Sequence, residues 1–537
     1  VTEGADLAEA YLKHHFAYRP VDATFMGIEG YDAMLPDASA GAAATERLGL
    51  TKLAALLDAT PEPDDLGARL DRRTVRGQIT AAEVALDHNP RFLNPAWYTG
   101  EAAFGVIGLL LPQSAPTNRE AVKARLLAVP DFLADGRARL SGASAPRAWS
   151  ARAKREAAAI SAFLRGDIRL HNDWDEAWAK PAEAAANAFT AFGASLDGLP
   201  DRPMAIGGTP LERLMRDAHG LTLSADEAVR RAEAAFDRMG EELVEMAARI
   251  DPGHSWSEQI GALSRYTAAS PDAVIEDYRC WNRRAATDSG DLLTTETGYG
   301  LEYRWLAPCF RNVAKDLYFL FYRSPPAATP GEGSVYWVNP PGGDPAAYLA
   351  GNAAATVKTV HAVHHGSVGH HTQNAAARRA ASRLARVAGT DCALGIAFLS
   401  SGSMVEGWAC YVQDMMKEAP GFYTPAEELF LKQLERRNAA SVLVDIRLHT
   451  GEWSPEQAIA FYREKAGFAA ARVESEVTRN SMLPATRLMY WLGIDQIRAL
   501  RTRWRGETRD FHDRLIGYGH VPVAWAGEEM ARAGLLD

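Results

Sequence analysis

Cysteine is scarce in these 537 residues: Cys280, Cys309, Cys392 and Cys410 stand far apart and form no C-x-x-C pair. That excludes a disulfide-built scaffold and a cysteine zinc ribbon, and it fits a reducing compartment. Long apolar runs are missing as well. The greasiest stretch, Phe104 to Leu111, falls far short of the roughly 18 residues that a spanning helix needs, so no membrane role is expected. Nor is there an excess of positive charge. With 58 Lys and Arg against 68 Asp and Glu the net charge is -10, a poor basis for gripping a phosphate backbone, and nucleic acid is not expected as a partner. The opening residues Val1 to Asp6 are acidic and lack the basic region and apolar stretch of a signal peptide, which gives a cytoplasmic expectation.

The chain does carry helical periodicity with explicit start signals. Ser224-Ala225-Asp226-Glu227, Thr424-Pro425-Ala426-Glu427 and Ser454-Pro455-Glu456-Gln457 have the form of capping boxes, with Pro at the first helical position in the last two. They predict helices reaching about Ile250, about His449 before Gly451, and near Gly467. The Ala-rich stretch Ala182 to Ala191, entered through Pro181, predicts another. One clear strand is expected at Ser334 to Asn339, closed by Pro340-Pro341-Gly342-Gly343. The fold class is therefore mainly α with little sheet. Thr60 to Asp65 and Ser324 to Gly333 read as surface loops. The second suggests a division into an N-terminal helical region, 1–323, and a C-terminal helical region, 324–537, which holds most of the candidate chemistry.

That chemistry centres on His361, His364, His365, His370 and His371, five of the chain's 14 histidines within one short tract. Such crowding of near-neutral bases on an apolar stretch points to a metal or catalytic site. Ala353 to Val360 reads as helix, which sets His361, His364 and His365 on neighbouring positions of one face. In an unbroken helix His364 and His371 would be about 10 Å apart, too far for one ion. Gly366 and Gly369 allow a bend that returns His370 or His371 toward His364. Glu406, in Val405-Glu406-Gly407-Trp408-Ala409-Cys410-Tyr411, is a carboxylate among apolar and aromatic neighbours, costly there unless paired or bound to a cation, and a natural further ligand.

These pieces resemble the bacterial family known as domain of unknown function 885, whose signature H-E-x-x-P-G-H-H-x-Q is followed by E-G-W-A-x-Y. Here the first reads His364-His365-Gly366-Ser367-Val368-Gly369-His370-His371-Thr372-Gln373, and the second is Glu406 to Tyr411. Further likeness lies in Pro20 to Thr24 with Gly27, Leu35 to Ser39, Tyr336 to Pro340, Asp445 with His449, Glu476 to Arg479, Pro484, Tyr490 and Gly493. The resemblance implies a large helical zincin-like (gluzincin, M32-like) architecture with a small β-sheet near the active-site cleft. It also implies a divalent metal, zinc first and iron or another transition metal second, on His364, His370 or His371, and Glu406. Two departures stand out: His365 replaces the family's Glu, the general base of a zincin, and Val368 replaces its Pro. His365 can accept a proton or become a ligand instead. The same resemblance brings in His449, oriented by Asp445, as proton donor or oxyanion stabiliser, Arg479 as a carboxylate clamp and Tyr490 as an oxyanion donor.

The expectation is thus a metal-dependent hydrolase of peptidase-like ancestry, acting on a small amide or short-peptide substrate in an enclosed cleft with His365 in place of Glu. The alternatives are a non-hydrolytic metal enzyme, lyase-like or oxygen-using, and a binding protein that has lost turnover.

Overall fold

A computed structural model describes residues 6–88, 91–111, 117–298, 300–317, 321–328, 333–387 and 402–537. Cys392 and part of the 324–333 loop, residues 329–332, lie outside the described residues. Among the described residues the cysteines are free thiols, Cys280 exposed and Cys309 and Cys410 buried, and no helix is long and apolar enough to cross a membrane.

The architecture is mainly helical, as the periodicity predicts. Ser224 caps a helix over Ala225–Ile250. Full capping boxes at Thr424 and Ser454 start helices Pro425–Thr450 and Pro455–Glu464. The first of these ends at Gly451, left-handed with φ 83°, a conformation that glycine takes without a Cβ penalty. Pro181 lies in the first turn of helix Ala179–Ser195. The sheet is small, with strands Gly300–Trp305, Gly333–Val338 and Tyr322–Arg323 paired in that order. The central strand is the one legible in the sequence.

The chain divides into two compact units. One holds Val1–Met204 and Leu306–Val335; the other holds Ala205–Trp305, Tyr336–Arg386 and Ser400–Asp537. In the first unit, helix Pro95–Leu110 is buried along its whole length. Its apolar run, the greasiest in the chain, is therefore core rather than membrane segment. Fully buried Arg125 is satisfied there by the Gly105 carbonyl and Thr24 Oγ1, each at 2.6 Å.

All the candidate chemistry falls in the second unit. There helix Pro425–Thr450 packs on Ala225–Ile250, and Gly402–Met415 packs on Leu488–Arg503. The second pair approaches backbone to backbone: a Cβ on Gly407 would sit 2.7 Å from Gly493 Cα, and one on Gly493 would sit 2.4 Å from the Ser403 carbonyl oxygen. Those two glycines bring Glu406 and Tyr490 onto facing helices at short range.

The His tract begins on a π-helix, Val357–His364, where the sequence predicts an ordinary α-helix. Buried Lys358 anchors it, with Nζ donating to Glu427 Oε2 at 2.8 Å and to the Phe422 carbonyl at 2.6 Å, while lying 4.3 Å above the Trp281 ring. Removing one partner of such a pair strands a buried charge. Glu427→Ala is accordingly expected to lower stability by about 3–5 kcal/mol, read from denaturant unfolding. A change below 1 kcal/mol would show that the pair does not anchor the tract.

Candidate metal centre

The π-helix ends at His364, and the chain turns through Gly366 to Gly369 before helix His370–Ala377 begins. Neither glycine of this turn has room for a side chain. A Cβ on Gly366 would fall 2.0 Å from the Ala362 carbonyl oxygen, and one on Gly369 would fall 1.9 Å from that of His364. The turn is held by Asn282 Oδ1, which accepts from the Ser367 amide at 2.8 Å, and by Thr372 Oγ1, which donates to the Ser367 carbonyl at 2.5 Å.

The reversal brings His364 and His370 together, their ring centroids 4.9 Å apart. From helix Gly402–Met415, Glu406 points Oε2 between them, 3.4 Å from His364 Nε2 and 3.9 Å from His370 Nε2. His365 joins the group. One ring nitrogen from each of His364, His365 and His370 lies within 4.8 Å of the others.

The donor set fits a cation. Glu406 Oε2 is buried and makes no hydrogen bond among the described residues, although two imidazole nitrogens face it. An orphaned buried carboxylate oxygen is costly unless a positive charge shares the site. Two imidazoles and one carboxylate are a donor set of catalytic zinc. Burial alone would raise the Glu406 carboxyl, but the His364 and His370 imidazoles and a hydrogen bond from the Tyr490 side chain outweigh it and hold the group down at about 2. Burial pushes His370 down to about 4 and His365 far below its usual range, with His364 adding to both. His365 and His370 are therefore neutral at pH 7, the form that ligates.

Outer contacts orient these rings. Gln373, one turn beyond His370, donates its amide nitrogen to the Met404 carbonyl at 2.6 Å and turns Oε1 toward His370 Nδ1 at 3.1 Å. His370 therefore carries its proton on Nδ1 and presents the Nε2 lone pair to the site. Cys410 Sγ, four residues after Glu406 on the same helix face, approaches His364 Nδ1 at 3.9 Å and receives Asn438 Nδ2 at 3.5 Å. His361 has other partners: Tyr336 Oη lies 2.6 Å from its Nδ1, and its ring stacks on Tyr278 at 5.0 Å. His371 is absent from the three-imidazole group and instead contributes to the field around Glu296.

The remaining candidates gather behind Glu406. Tyr490 and Arg479 line a tight cavity with Asn480, Leu483, Thr486 and Arg487. The Arg487 guanidinium lies 5.0 Å over the Tyr490 ring and donates to Asn480 Oδ1 at 3.0 Å. His449 is fully buried, with Nε2 2.9 Å from the Asn480 carbonyl and burial pressing its pKa down to about 4. Asp445 stays 3.7 Å from it. Its oxygens instead accept from the amides of Ala485 at 3.2 Å and Leu488 at 3.0 Å. Asp445 thus holds Ala485 at φ 61° and caps helix Leu488–Arg503, which carries Tyr490.

A model of bacterial proteins of unknown function, DUF885, matches residues 20–530. The chain belongs to the DUF885 family. Two solved structures share its fold: one from Shewanella oneidensis, with a TM-score of 0.75, 16% identity and coverage of 99% of this chain and 100% of that one, and one from Colwellia psychrerythraea, with a TM-score of 0.76, 17% identity and 99% of each chain covered. Both are described as a "putative lipoprotein". No curated protein matches the sequence.

In this DUF885 chain the roles of Gln373, Cys410, Gly407 and Asp445 escaped the sequence reading, although all four stand in or near its motifs. The usable signal was spacing: Gln373 follows His370 by three residues and Cys410 follows Glu406 by four, so each shares a helix face with a candidate ligand. Gln373→Leu is expected to weaken metal binding by roughly 10- to 100-fold, the usual cost of losing an outer-shell partner. Chelator competition measures this, and unchanged affinity would remove Gln373 from the centre.

Proposed function

We propose that this protein is a metal-dependent hydrolase of peptidase-like ancestry, acting on a small amide or peptide-like substrate, with zinc as the first candidate ion. The observation that carries the reading is the convergence of His364 Nε2, His370 Nε2 and an orphaned Glu406 Oε2. A bound zinc ion supplies a Lewis acid and an activated water. In this reading His364, His370 and Glu406 hold it, with His371 the alternative imidazole beside His370. The Tyr490 hydroxyl fixes Glu406 and stands ready to donate to a developing oxyanion. Arg479 is assigned to clamp an anionic end of the substrate, which requires the cavity it lines with Tyr490 to open, because as it stands that cavity admits nothing as large as a water molecule. His449 supports the Asn480 side of that cavity, and a proton passes through its ring only if it is released from the Asn480 carbonyl. His365 occupies the position of the zincin general base and is the imidazole assigned to take the proton of the attacking water.

The test is metal analysis of purified protein, followed by assays on N-acylated dipeptides and simple amides. Stoichiometric metal with hydrolysis that is lost in His364→Ala supports the reading; metal-free protein, or protein whose metal survives that change, refutes it. A second reading, a non-hydrolytic centre using iron or copper, is favoured by the third imidazole beside the other two. Colour or an electron paramagnetic signal in fresh protein would select it. Metal binding without turnover of either kind would leave a binding protein. Cell fractionation tests a cytoplasmic location against the alternative raised by the two structural neighbours described as a "putative lipoprotein".

A further inference from the structure

We infer that His365 is itself a metal ligand, so that the resting centre is held by three imidazoles and one carboxylate and carries its own cap. The inference rests on the metal reading above and concerns how the site is closed. It comes from spacing. Donors about 2.1 Å from a tetrahedral ion sit about 3.4 Å from one another, and His364 Nε2 with Glu406 Oε2 already has that separation. The three imidazole nitrogens span no more than 4.8 Å in a group that does not include Glu406. Glu406 joins through its 3.4 and 3.9 Å approaches to His364 and His370, and ring rotations of the order of 1 Å bring the imidazoles to the same spacing.

Neighbouring residues of a regular helix point roughly 100° apart, and two consecutive imidazoles would not normally share a ligand. Here the π-helix ends at His364 and His365 is its C-cap, with φ -92° and ψ -18°, and the two rings come together at that helix end. The His365 ring then lies 4.7 Å from that of His364 and 5.3 Å from that of His370. On its other side Tyr336 closes the approach, its ring 5.8 Å away.

Catalytic zinc sites use three protein ligands and leave the fourth position to water or substrate, whereas sites with four protein ligands are closed. His365 fills that fourth position. A nitrogen that holds an ion cannot accept a proton, so hydrolysis requires His365 to let go first. The centre is therefore latent until substrate displaces the imidazole. Three nitrogens and one oxygen suit zinc, cobalt, iron, nickel or copper rather than magnesium or calcium.

The probes are cobalt(II) and copper(II) loaded into the metal-free protein. Pulsed paramagnetic resonance of the copper form is expected to count three imidazoles in the unaltered protein. The cobalt form should give intense four-coordinate visible bands that azide leaves unchanged. His365→Asn should still take up one cobalt, with affinity lower by at least ~10-fold, and its bands should shift on adding azide. Two imidazoles and an azide-responsive spectrum in the unaltered protein would overturn the inference while leaving the metal reading intact. Failure to bind either ion would remove both. The imidazole count needs no variant, so it decides the matter even if His365→Asn does not fold.

Discussion

Glu406→Ala is expected to strip metal from the protein and to cost the metal-loaded form far more stability than the metal-free form. Losing the carboxylate donor of the cluster should weaken metal affinity by more than ~100-fold, beyond the usual cost of an outer-shell change. The second half of the expectation separates a ligand from a structural ion pair. If Glu406 served only as partner to buried imidazoles, removing it would destabilise the chain by about 3–5 kcal/mol with or without metal. The geometry argues otherwise. Its Oε2 lies 3.4 and 3.9 Å from the two imidazole nitrogens, long for strong hydrogen bonds, so the imidazoles and Tyr490 that hold its carboxyl down at about 2 give it a smaller return in metal-free protein than a bound cation gives in the loaded one. Truncating it forfeits that smaller return in the metal-free form and the cation as well in the loaded one. Thermal unfolding with and without added zinc checks both halves. Equal destabilisation in the two conditions would assign Glu406 to structure alone.

Local features of this fold were legible in the sequence because they are decided within a few residues. Thr424 with Glu427 and Ser454 with Gln457 form their capping boxes from side chains three apart, and Gly451 ends its helix through its own φ. The His tract and Glu406 were legible as chemistry because imidazoles and a carboxylate on apolar stretches have few other uses. Residues whose partners lie far along the chain were not legible in the same way. Asp445 and His449 have the spacing of a helical pair, yet Asp445 faces amides 40 and 43 positions away. Backbone donors that are buried and otherwise unpaired compete strongly for a carboxylate. The π-helix at Val357–His364 was likewise beyond the pattern. Its register depends on Lys358 reaching Glu427 and on Asn282 capping the following turn, contacts that no local periodicity contains. His365 sits between the two cases: the substitution was visible, but not that its ring would join those of His364 and His370.

Gly369→Ala is expected to be the most damaging single methyl group in the second unit. Its Cβ would lie 1.9 Å from the His364 carbonyl oxygen and 2.4 Å from that of Val363. Both obstacles are backbone of the preceding turn, so no side-chain rotation can clear them. The turn must open, and it is the element that returns His370 to His364. Overpacking of this kind costs on the order of 3 kcal/mol, and the metal site shares the damage because its two halves flank the clash. Gly261→Ala is the matched control. That glycine is exposed within helix Trp256–Ala262, and nothing lies within 4 Å of its added Cβ, so the same change there should stabilise by about 0.5–1 kcal/mol through the lost flexibility of the unfolded chain. Denaturant unfolding and zinc affinity of the two variants, measured side by side, test whether the glycine is required by contact rather than by composition. A Gly369→Ala protein with unaltered midpoint and affinity would mean that the turn has room the backbone does not show, and that His364 and His370 meet without it.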